Sequence, residues 1–530
     1  INQYLNGTLD DIPSWKSLKD IDKAVEIISQ KIDLGTRMRI IGDYDIDGVT
    51  ATYILLKGFK RLGANVDTYI PDRIADGYGI HNHLIEKAKE DGVDTIVTCD
   101  NGISAADQIA FAKKMGMTVV VTDHHEVPFE DTEEGRKYKL PLADAIINPK
   151  QSDCTYPNKN ICGAVVAMKL VFALYEKYGI PEREKEDYLE PAAIATVGDI
   201  MDLQGENRIL VKEGLLRLPH TKNKGLKALI RAIGLENQKI SSYDIGFRLG
   251  PCINASGRLD TAMRSLSLLQ CEDEEEAAKL ANDLKALNDS RKALTEQGTE
   301  AAYKLINGSD LKNDRVMVVF LPDCHESLAG IIAGRIREKY HKPAFVLTRG
   351  EKSVKGSGRS TENYSMYEEL VKCDSLLLQY GGHPMAAGLS IEEANVEAFR
   401  RQLNENCTLT EEDMIQKIVI DVPMPISYIN ENLIRQLSVL EPFGKGNAKP
   451  VFAQKNLRVL KTGIYGKTQN TVKLQLMDES GTVMDGVYWG EAKEFAEFAR
   501  SHGTISVTYY PKINSYMGRD SLQIVIQNYC

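Results

Sequence analysis

The first 150 residues alternate short apolar runs with helix-spaced segments, and this alternation constrains the fold more than any other feature. RMRIIG (37–42), ANVDTYIP (64–71), DTIVTCDNG (94–102), MTVVVTDHH (117–125) and ADAIINP (143–149) read as strands. Helices are predicted over 49–63 and 104–116, the second with Ser104 as its N-cap. Strands alternating with helices predict a parallel sheet with right-handed crossovers. Such sheets bind ligands beyond the carboxyl ends of their strands. Three of the five runs end there in acids or imidazoles: GDYDIDG brings Asp43, Asp45 and Asp47, DNG brings Asp100, and DHH brings Asp123, His124 and His125. Further on, ATVGDIMDL adds Asp199 after an apolar segment.

Each cluster alone has a plain reading as a polar turn. GDYDIDG also opens like a calcium-binding EF-hand loop, but the twelfth loop position is Ile54 rather than Glu, and a strand rather than a helix precedes it. Together the clusters share one rim of one predicted sheet. So many carboxylates side by side repel one another and raise each other's pKa values, and bound cations remove that cost. The joint pattern predicts a pair of divalent ions.

The 530 residues predict three or four domains, and 43% apolar with 26% charged residues is ordinary for a soluble globular chain. A net charge of −10 excludes a uniformly basic coat, so a polyanion has to be held by local basic patches or by metal ions. The nine cysteines contain no CxxC pair, which argues against a zinc ribbon or a disulfide framework and predicts buried reduced thiols in a cytoplasmic protein. No window approaches the ~20 apolar residues of a membrane span. The chain opens on Ile1 rather than Met, so a preceding segment is expected.

Residues 161–240 read as mostly helical, and 271–308 as one long helix whose acidic run Glu272 to Glu276 suits a helix start. A second α/β unit follows from residue 314, then a Gly/Ser-rich stretch. From about Lys417 short alternating strands predict a β-barrel or sandwich.

GDYDIDG, DNG, DHH and the later GDI resemble the four motifs of the DHH phosphoesterases. GSGRS (356–360) and GGHPMAAG (381–388) resemble the second domain that accompanies them, DHHA1. GPCINASGRL (250–259), ENRIL (206–210) and EPFGKGNAKPVF (441–452) narrow the resemblance to the RecJ family of single-strand-specific exonucleases, over nearly the whole chain. Cys252 stands where that family would be expected to carry a basic or polar residue.

The resemblance implies an α/β fold in four parts: a parallel-sheet DHH catalytic domain (1–205), connecting helices (206–310), a DHHA1-like substrate-binding domain (311–412) and an OB-fold-like barrel (413–530). It implies that Asp45, Asp47, Asp100, His124 and Asp199 ligate two metals, with Asp100 as the bridge and Asp43 as a further ligand or a supporting group. His125 points at the scissile phosphate, and Asp123 orients the imidazoles. Mixed carboxylate and imidazole ligation favours Mn²⁺, with Mg²⁺ as the alternative. Gly356, Ser357, Arg359, Ser360, Gly382 and His383 form the second wall and hold the released nucleotide, while Arg73, Asn254 and Arg258 contact the backbone. In the barrel, Tyr465, Lys467, Lys473, Tyr488, Tyr509, Tyr510 and Lys512 are available to a strand.

The implied activity is 5′→3′ degradation of single-stranded DNA to 5′-mononucleotides in repair and recombination. Expected partners are single-stranded DNA, a single-strand-binding protein and a helicase, with no membrane and a monomeric chain. A DHH hydrolase of short oligonucleotides or cyclic dinucleotides is the alternative enzyme, and a pyrophosphatase a further one; the β-rich C-terminal part favours the exonuclease. An inactive replication scaffold would require lost ligands, and every expected ligand is present.

Overall fold

The computed structural model describes residues 1–132, 135–466, 468–516 and 519–530. Lys467 therefore lies outside the described residues. The chain forms two compact units. The larger holds Ile12–Met201 and Glu213–Gln416; the smaller holds Ile1–Asp11, Asp202–Lys212 and Lys417–Cys530.

In the larger unit, β1 (Met38–Ile41), β2 (Val66–Tyr69), β3 (Thr95–Cys99) and β4 (Thr118–Thr122) are followed by an exposed antiparallel hairpin, β5 (Phe129–Thr132) and β6 (Gly135–Tyr138), and then by β7 (Ala145–Ile147). The first sheet is parallel, in the order β2-β1-β3-β4-β7. β1 and β3 are buried along their whole length, which is why they read as mostly apolar runs rather than as alternating ones; the one charge, Arg39, is paired with Asp67 and Asp91. The strand order reverses between β1 and β3, so the crevice for a ligand opens at their carboxyl ends.

Helices Ile46–Arg61 and Ala106–Lys114 follow β1 and β3. The second has Ala105, not Ser104, at its cap position, with no side-chain cap bond. The backbone N–H of Ile103 is held instead by the Asp123 carboxylate (2.9 Å), and this ties the turn to the site before the helix begins.

The connecting region is helical, as expected, and its longest helix runs Glu274–Asn307. Asp273 caps it by accepting from the Glu276 N–H (2.8 Å), and the acids of the first turn oppose the helix dipole. Cys252 is buried on helix Gly250–Leu259, with its sulfur 3.3 Å from the Arg248 carbonyl and 3.4 Å from Asn288 Nδ2. It packs helices together instead of facing a substrate.

A second sheet contains β8 (Met317–Phe320), β9 (Ala344–Arg349), β10 (Val354–Arg359), β11 (Leu377–His383) and β12 (Ala386–Ile391), in the order β11-β12-β10-β9-β8. Only the β8–β9 pair is parallel, joined through helix Ala329–Tyr340. The Gly/Ser-rich GSGR and GGH segments carry turn-type residues, yet both are strands. Full ladders on both sides of β10 outweigh the poor strand propensity of glycine. A Cβ at Gly358 would sit 2.5 Å from the Phe345 ring, so the missing side chain is what lets that ring pack.

The smaller unit is a barrel of β13 (Val422–Pro423), β14 (Phe452–Tyr465), β15 (Thr471–Met477), β16 (Val483–Trp489), β17 (Thr504–Tyr516) and β18 (Arg519–Tyr529), and the β14–β17 pairing closes the ring. Helix Ala492–His502, not anticipated from the alternating pattern, plugs the barrel with Phe495, Ala496 and Ala499. Tyr509 lies in the core with its hydroxyl donating to the Met424 carbonyl, and Tyr488 packs on Phe495 and Tyr529. These two tyrosines are consumed by packing, which takes them out of the set available to a strand.

All nine cysteines are free thiols. Among the described residues no helix is long and apolar enough to cross a membrane.

Candidate metal centre

The β1 turn is built by its own acids. Asp45 caps helix Ile46–Arg61, its Oδ1 accepting from the N–H groups of Asp47 (2.9 Å) and Gly48 (3.1 Å). Asn254 accepts from the Ile46 N–H (2.8 Å), so this expected backbone-contact residue holds the acidic turn. Asp47 points into the protein and accepts from the N–H groups of Gly163 (2.6 Å) and Ala164 (2.8 Å), at the start of helix Gly163–Lys177.

After β3, Asp100 adopts a left-handed backbone (φ 59), which an aspartate tolerates. Asn101 ties the strand ends together by donating to the carbonyls of Ile41 (3.1 Å) and Cys99 (2.9 Å). After β4, the buried Asp123 accepts from the N–H groups of Ile103, His124 and His125 and from His125 Nδ1 (2.7 Å). That bond leaves Nε2 as the free nitrogen of the His125 ring. His124 Nε2 lies 3.1 Å from Asp100 Oδ1, 3.5 Å from Asp47 Oδ2 and 3.6 Å from Asp199 Oδ2.

Three sets of potential ligand atoms lie within 4.8 Å of one another: Asp43, Asp45 and Asp100; Asp47, His124 and Asp199; and Asp100, His124 and His125. The structure thus brings together every side chain expected to ligate metal, with Asp100 and His124 shared between groups. Asp43 Oδ1, Asp100 Oδ1 and Asp199 Oδ2 are buried with no hydrogen-bond partner among the described residues. Orphaned carboxylate oxygens converging on one spot, with an imidazole among them, form a donor set that fits divalent cations.

The electrostatics agree. Burial, then the fields of Asp47, Asp45, Asp43 and Asp199, raises Asp100 well above the usual carboxylate range. Burial and Asp45 do the same to Asp43, and burial with Asp47 raises Asp45. Asp199 is pushed up to about 8 by burial, Asp47 and Asp45. Burial lowers His124, keeping its ring neutral and suited to ligation. Burial works against the charge on Asp123, but the His125 hydrogen bond and the two imidazoles outweigh it and hold the carboxyl at about 2. Burial likewise opposes protonation of His125, yet the bond to Asp123 and the surrounding carboxylates raise it to about 9.

A pH prediction follows with a definite sign. Asp199 has an ordinary value near 3.8 when unfolded and about 8 when folded without ions, so the folded metal-free state binds the extra proton. Its contribution to stability therefore falls as pH rises through that window. Ion binding needs the carboxylate, so affinity rises through the same window. Saturating Mn²⁺ is expected to raise the melting temperature more at pH 8 than at pH 6. An equal shift at both, by scanning calorimetry, would contradict this proton linkage.

A cavity of about 590 Å³ opens beside the cluster, lined by Tyr78, Ile103, Ser104, His124, His125, Glu126, Lys150 and His383. His383, at the end of β11, is thus carried to the first sheet's active rim. Arg73 stacks on the Tyr44 ring (4.3 Å), and its Nε is buried without a hydrogen-bond partner among the described residues. Arg258 donates to the Ser327 carbonyl (2.7 Å); burial, Arg73 and Arg291, with a contribution from Arg359, pull it down to about 9. Arg359 is lowered by burial, Arg337 and Arg73. Three guanidinium groups from three segments therefore repel one another, an arrangement that an anion would relieve.

Ser357 and Arg359 lie together against Gly330, where a Cβ would come within 2.8 Å of both side chains. Gly356 packs under Leu389 and Leu347, and Gly382 (φ 145) lies against Ala386 and Ala387. Ser360 is turned away: it is buried, and its hydroxyl donates to the Tyr364 carbonyl.

Sequence reasoning missed three residues. Tyr78 places its hydroxyl 3.2 Å from His125 Nδ1 and 3.3 Å from the Asp100 carbonyl. Lys150 lines the cavity, paired with Glu126 (2.9 Å). At Gly163, a Cβ would sit 2.8 Å from Asp100 Cβ and Oδ1. The only local signal for Gly163 is a glycine opening an otherwise apolar helix.

Residues 37–196 match the DHH family, N-terminal domain; residues 313–408 match the DHHA1 domain; residues 420–528 match the RecJ OB domain. The chain is 33% identical over 550 residues to the single-stranded-DNA-specific exonuclease RecJ of Escherichia coli (strain K12), covering 99% of this chain and 93% of that protein. It is 34% identical over 515 residues to the single-stranded-DNA-specific exonuclease RecJ of Bacillus subtilis (strain 168), covering 96% of this chain but only 63% of the relative's length. Among solved structures, RecJ from Thermus thermophilus in complex with Mn²⁺ is similar over 100% of this chain and 74% of that one, with a TM-score of 0.82 at 28% identity.

Proposed function

The chain belongs to the RecJ family, and on that premise we propose that it is a metal-dependent exonuclease that degrades single-stranded DNA from the 5′ end to 5′-mononucleotides. The observation that carries the chemistry is the convergence of six side chains from four segments, with three buried carboxylate oxygens left unpaired. Asp43, Asp45 and Asp100 would hold one divalent ion, and Asp47, His124 and Asp199 a second, with Asp100 beside both. Mn²⁺ is favoured because an imidazole joins the carboxylates, and Mg²⁺ is the alternative. When bound, the ions polarise the phosphoryl group and lower the pKa of water.

The protein's own groups do the rest. Asp123 holds His125 as an imidazolium at neutral pH, with Nε2 free at the cavity, where it offsets negative charge building on the phosphate. The Tyr78 hydroxyl lies 3.2 Å from the same Nδ1 and adds a second contact that fixes the ring. Arg73, Arg258 and Arg359 offer mutually repelling cations to the strand's phosphates, and Ser357 and His383 complete the seat of the departing nucleotide. The barrel unit supplies a further hold on the strand.

The reading extends to a cytoplasmic monomer. A helicase that unwinds duplex and a single-strand-binding protein that keeps strands apart would supply a substrate that has no duplex form. Its relatives in Escherichia coli and Bacillus subtilis are single-stranded-DNA-specific exonucleases, which supports single-stranded DNA as substrate, and 5′ polarity comes from the family resemblance.

The test uses Mn²⁺ and a 5′-phosphorylated single strand labelled at either end. Labelled mononucleotide is expected first from the 5′ end, with duplex and RNA competitors spared or slow. Release first from the 3′ end would overturn the polarity, and cleavage confined to dinucleotides would favour the short-oligonucleotide hydrolase.

A further inference from the structure

Lys150 and Glu126 take no part in the chemistry above, yet both line the cavity beside the metal centre. Lys150 follows β7, so it stands on the same carboxyl rim as the acids and imidazoles. The backbone under it is fixed. Asn148 is fully buried; it accepts from the Lys150 N–H (2.8 Å) and donates to the His125 carbonyl (3.0 Å). Gln151 Nε2 donates to the Ile146 carbonyl (2.8 Å) and ties the same turn back to β7. One amide therefore joins the segment that carries Lys150 to the segment that carries His125.

The side chain is held less firmly than the backbone. The Lys150 ammonium lies 2.9 Å from Glu126 Oε1, but the lysine side chain is 19% exposed and the glutamate 70%. Such a pair is a weak hold, because water screens the acid and a long exposed side chain loses entropy on being fixed. Among the residues lining the cavity Glu126 is the one acid, set against Lys150 and the three imidazoles of His124, His125 and His383. The lysine's charge also reaches the metal set. Burial acts first on the proton affinities of His124 and Asp199, and Lys150 is among the charges that act on both. A cation placed here, on a partner it can leave, fits an anion that is present in only part of a reaction cycle.

The reaction makes such an anion. Freeing a 5′-mononucleotide from the 5′ end breaks the bond between phosphorus and the 3′ oxygen of the first nucleotide. Water gives its hydroxyl to phosphorus and its proton to that oxygen. The phosphate at the cut stays on the shortened strand and changes from a diester with one negative charge to a monoester with about −1.5 to −2 at pH 7. The departing nucleotide carries a phosphate monoester of the same kind.

We infer that Lys150 is exchanged between Glu126 and a 5′-phosphate monoester in the cavity: the ammonium leaves the carboxylate to take the terminal phosphate, and Glu126 recaptures it as the phosphate moves on. The inference rests on the exonuclease reading and assigns the residues that tell the phosphate after the cut from the phosphate before it. The new strand end and the departing nucleotide share this chemistry, and the test separates them.

The experiment uses the full chain at saturating Mn²⁺ with two readouts: calorimetric affinity for thymidine 5′-monophosphate, with thymidine as the phosphate-free control, and the number of nucleotides released per binding event with a trap for free enzyme. If the departing nucleotide is the ligand, K150Q weakens the monophosphate about tenfold, the usual loss of one bond to a charged group. If the new strand end is the ligand, K150Q instead shortens the run per binding event several-fold. E126Q is expected to move the same readout the other way, by up to about fivefold, the most that an exposed pair withholds. K150R should restore most of the loss. K177Q, which breaks a similar exposed pair with Glu26, should change neither readout. Wild-type values of both readouts in K150Q would overturn the inference, as would a shift of E126Q in the same direction as K150Q, no shift in E126Q, or an equal loss of thymidine affinity. Lysine-dependent binding of the monophosphate by a chain that degrades no single strand would defeat the exonuclease reading and leave the exchange standing.

Discussion

Asp100→Ala is expected to cut Mn²⁺-dependent nucleotide release by more than about 10²–10³-fold, the loss that follows removal of even one well-placed electrostatic stabiliser. The effect is this large because Asp100 belongs to two of the three ligand groups and stands against His124, so no neighbour can replace it. Strand affinity should survive, since the basic groups lie elsewhere. The variant also makes a second, independent prediction. Asp100 is held well above the usual carboxylate range by burial and by Asp47, Asp45, Asp43 and Asp199, so the metal-free protein gains nothing from its charge. Without it, the metal-free fold should be at least as stable as the wild type, while the rise in melting temperature on adding Mn²⁺ should largely vanish. Single-turnover hydrolysis together with calorimetry checks both. Full activity in the variant would remove Asp100 from the metal centre.

Gly163→Ala is expected to lower Mn²⁺ affinity by about 10–100-fold, as changes in the groups that support metal ligands do. On propensity alone, alanine would stabilise this helical position by about 1 kcal/mol. Here the new methyl would meet Asp100 Cβ and Oδ1 at 2.8 Å, a contact that forces Asp100 or the helix to move. The same residue's N–H holds Asp47, so any retreat of the helix also loosens a ligand of the second group. The variant should fold with near wild-type helix content and lose metal affinity, as read by Mn²⁺ titration. Unchanged affinity would mean that the helix start has slack which the packing does not suggest.

These two residues show the range of what was legible. Asp100 could be found because it is an acid following an apolar run, and physics places strand-end acids of one parallel sheet on one rim. The same logic found Asp43, Asp45, Asp47, Asp123, His124 and His125. Asp199 also follows an apolar segment, but that segment is helix Leu189–Gly198 rather than a strand, and its role as a ligand came from the family resemblance. Gly163 could not be found, because a glycine carries no chemistry of its own, and its role is to be absent where another segment needs room. Asn254 was legible as a functional residue, but its observed bond is to the Ile46 N–H, since one amide reads the same whether it faces a phosphate or a backbone. Ser360 sits in a phosphate-type motif, yet its hydroxyl is turned to Tyr364 by the bend after β10.

The fold divides in the same way. Buried parallel strands announce themselves by apolar runs, so the first sheet was readable strand by strand. The glycine-rich β10 and β11 were not, because their strand state comes from the strands they pair with, β9 and β12 for β10 and β12 for β11, and propensity reports only a residue's own preference. Helix Ala492–His502 was hidden among alternating strands.

By itself, then, the sequence determined the kind of sheet, the acids and imidazoles at its rim, the need for cations among them and the separate β-rich unit at the end. These follow from local periodicity and from charge, which travel with the chain wherever it goes. Only the tertiary structure decided which oxygens stay unpaired, that Asp123 makes His125 a cation, that His383 crosses from the second sheet to the first sheet's cavity, and that three arginines from distant segments crowd together. Those facts depend on distances between residues far apart in sequence, and burial in a low-dielectric interior turns such distances into shifted proton affinities and binding energy.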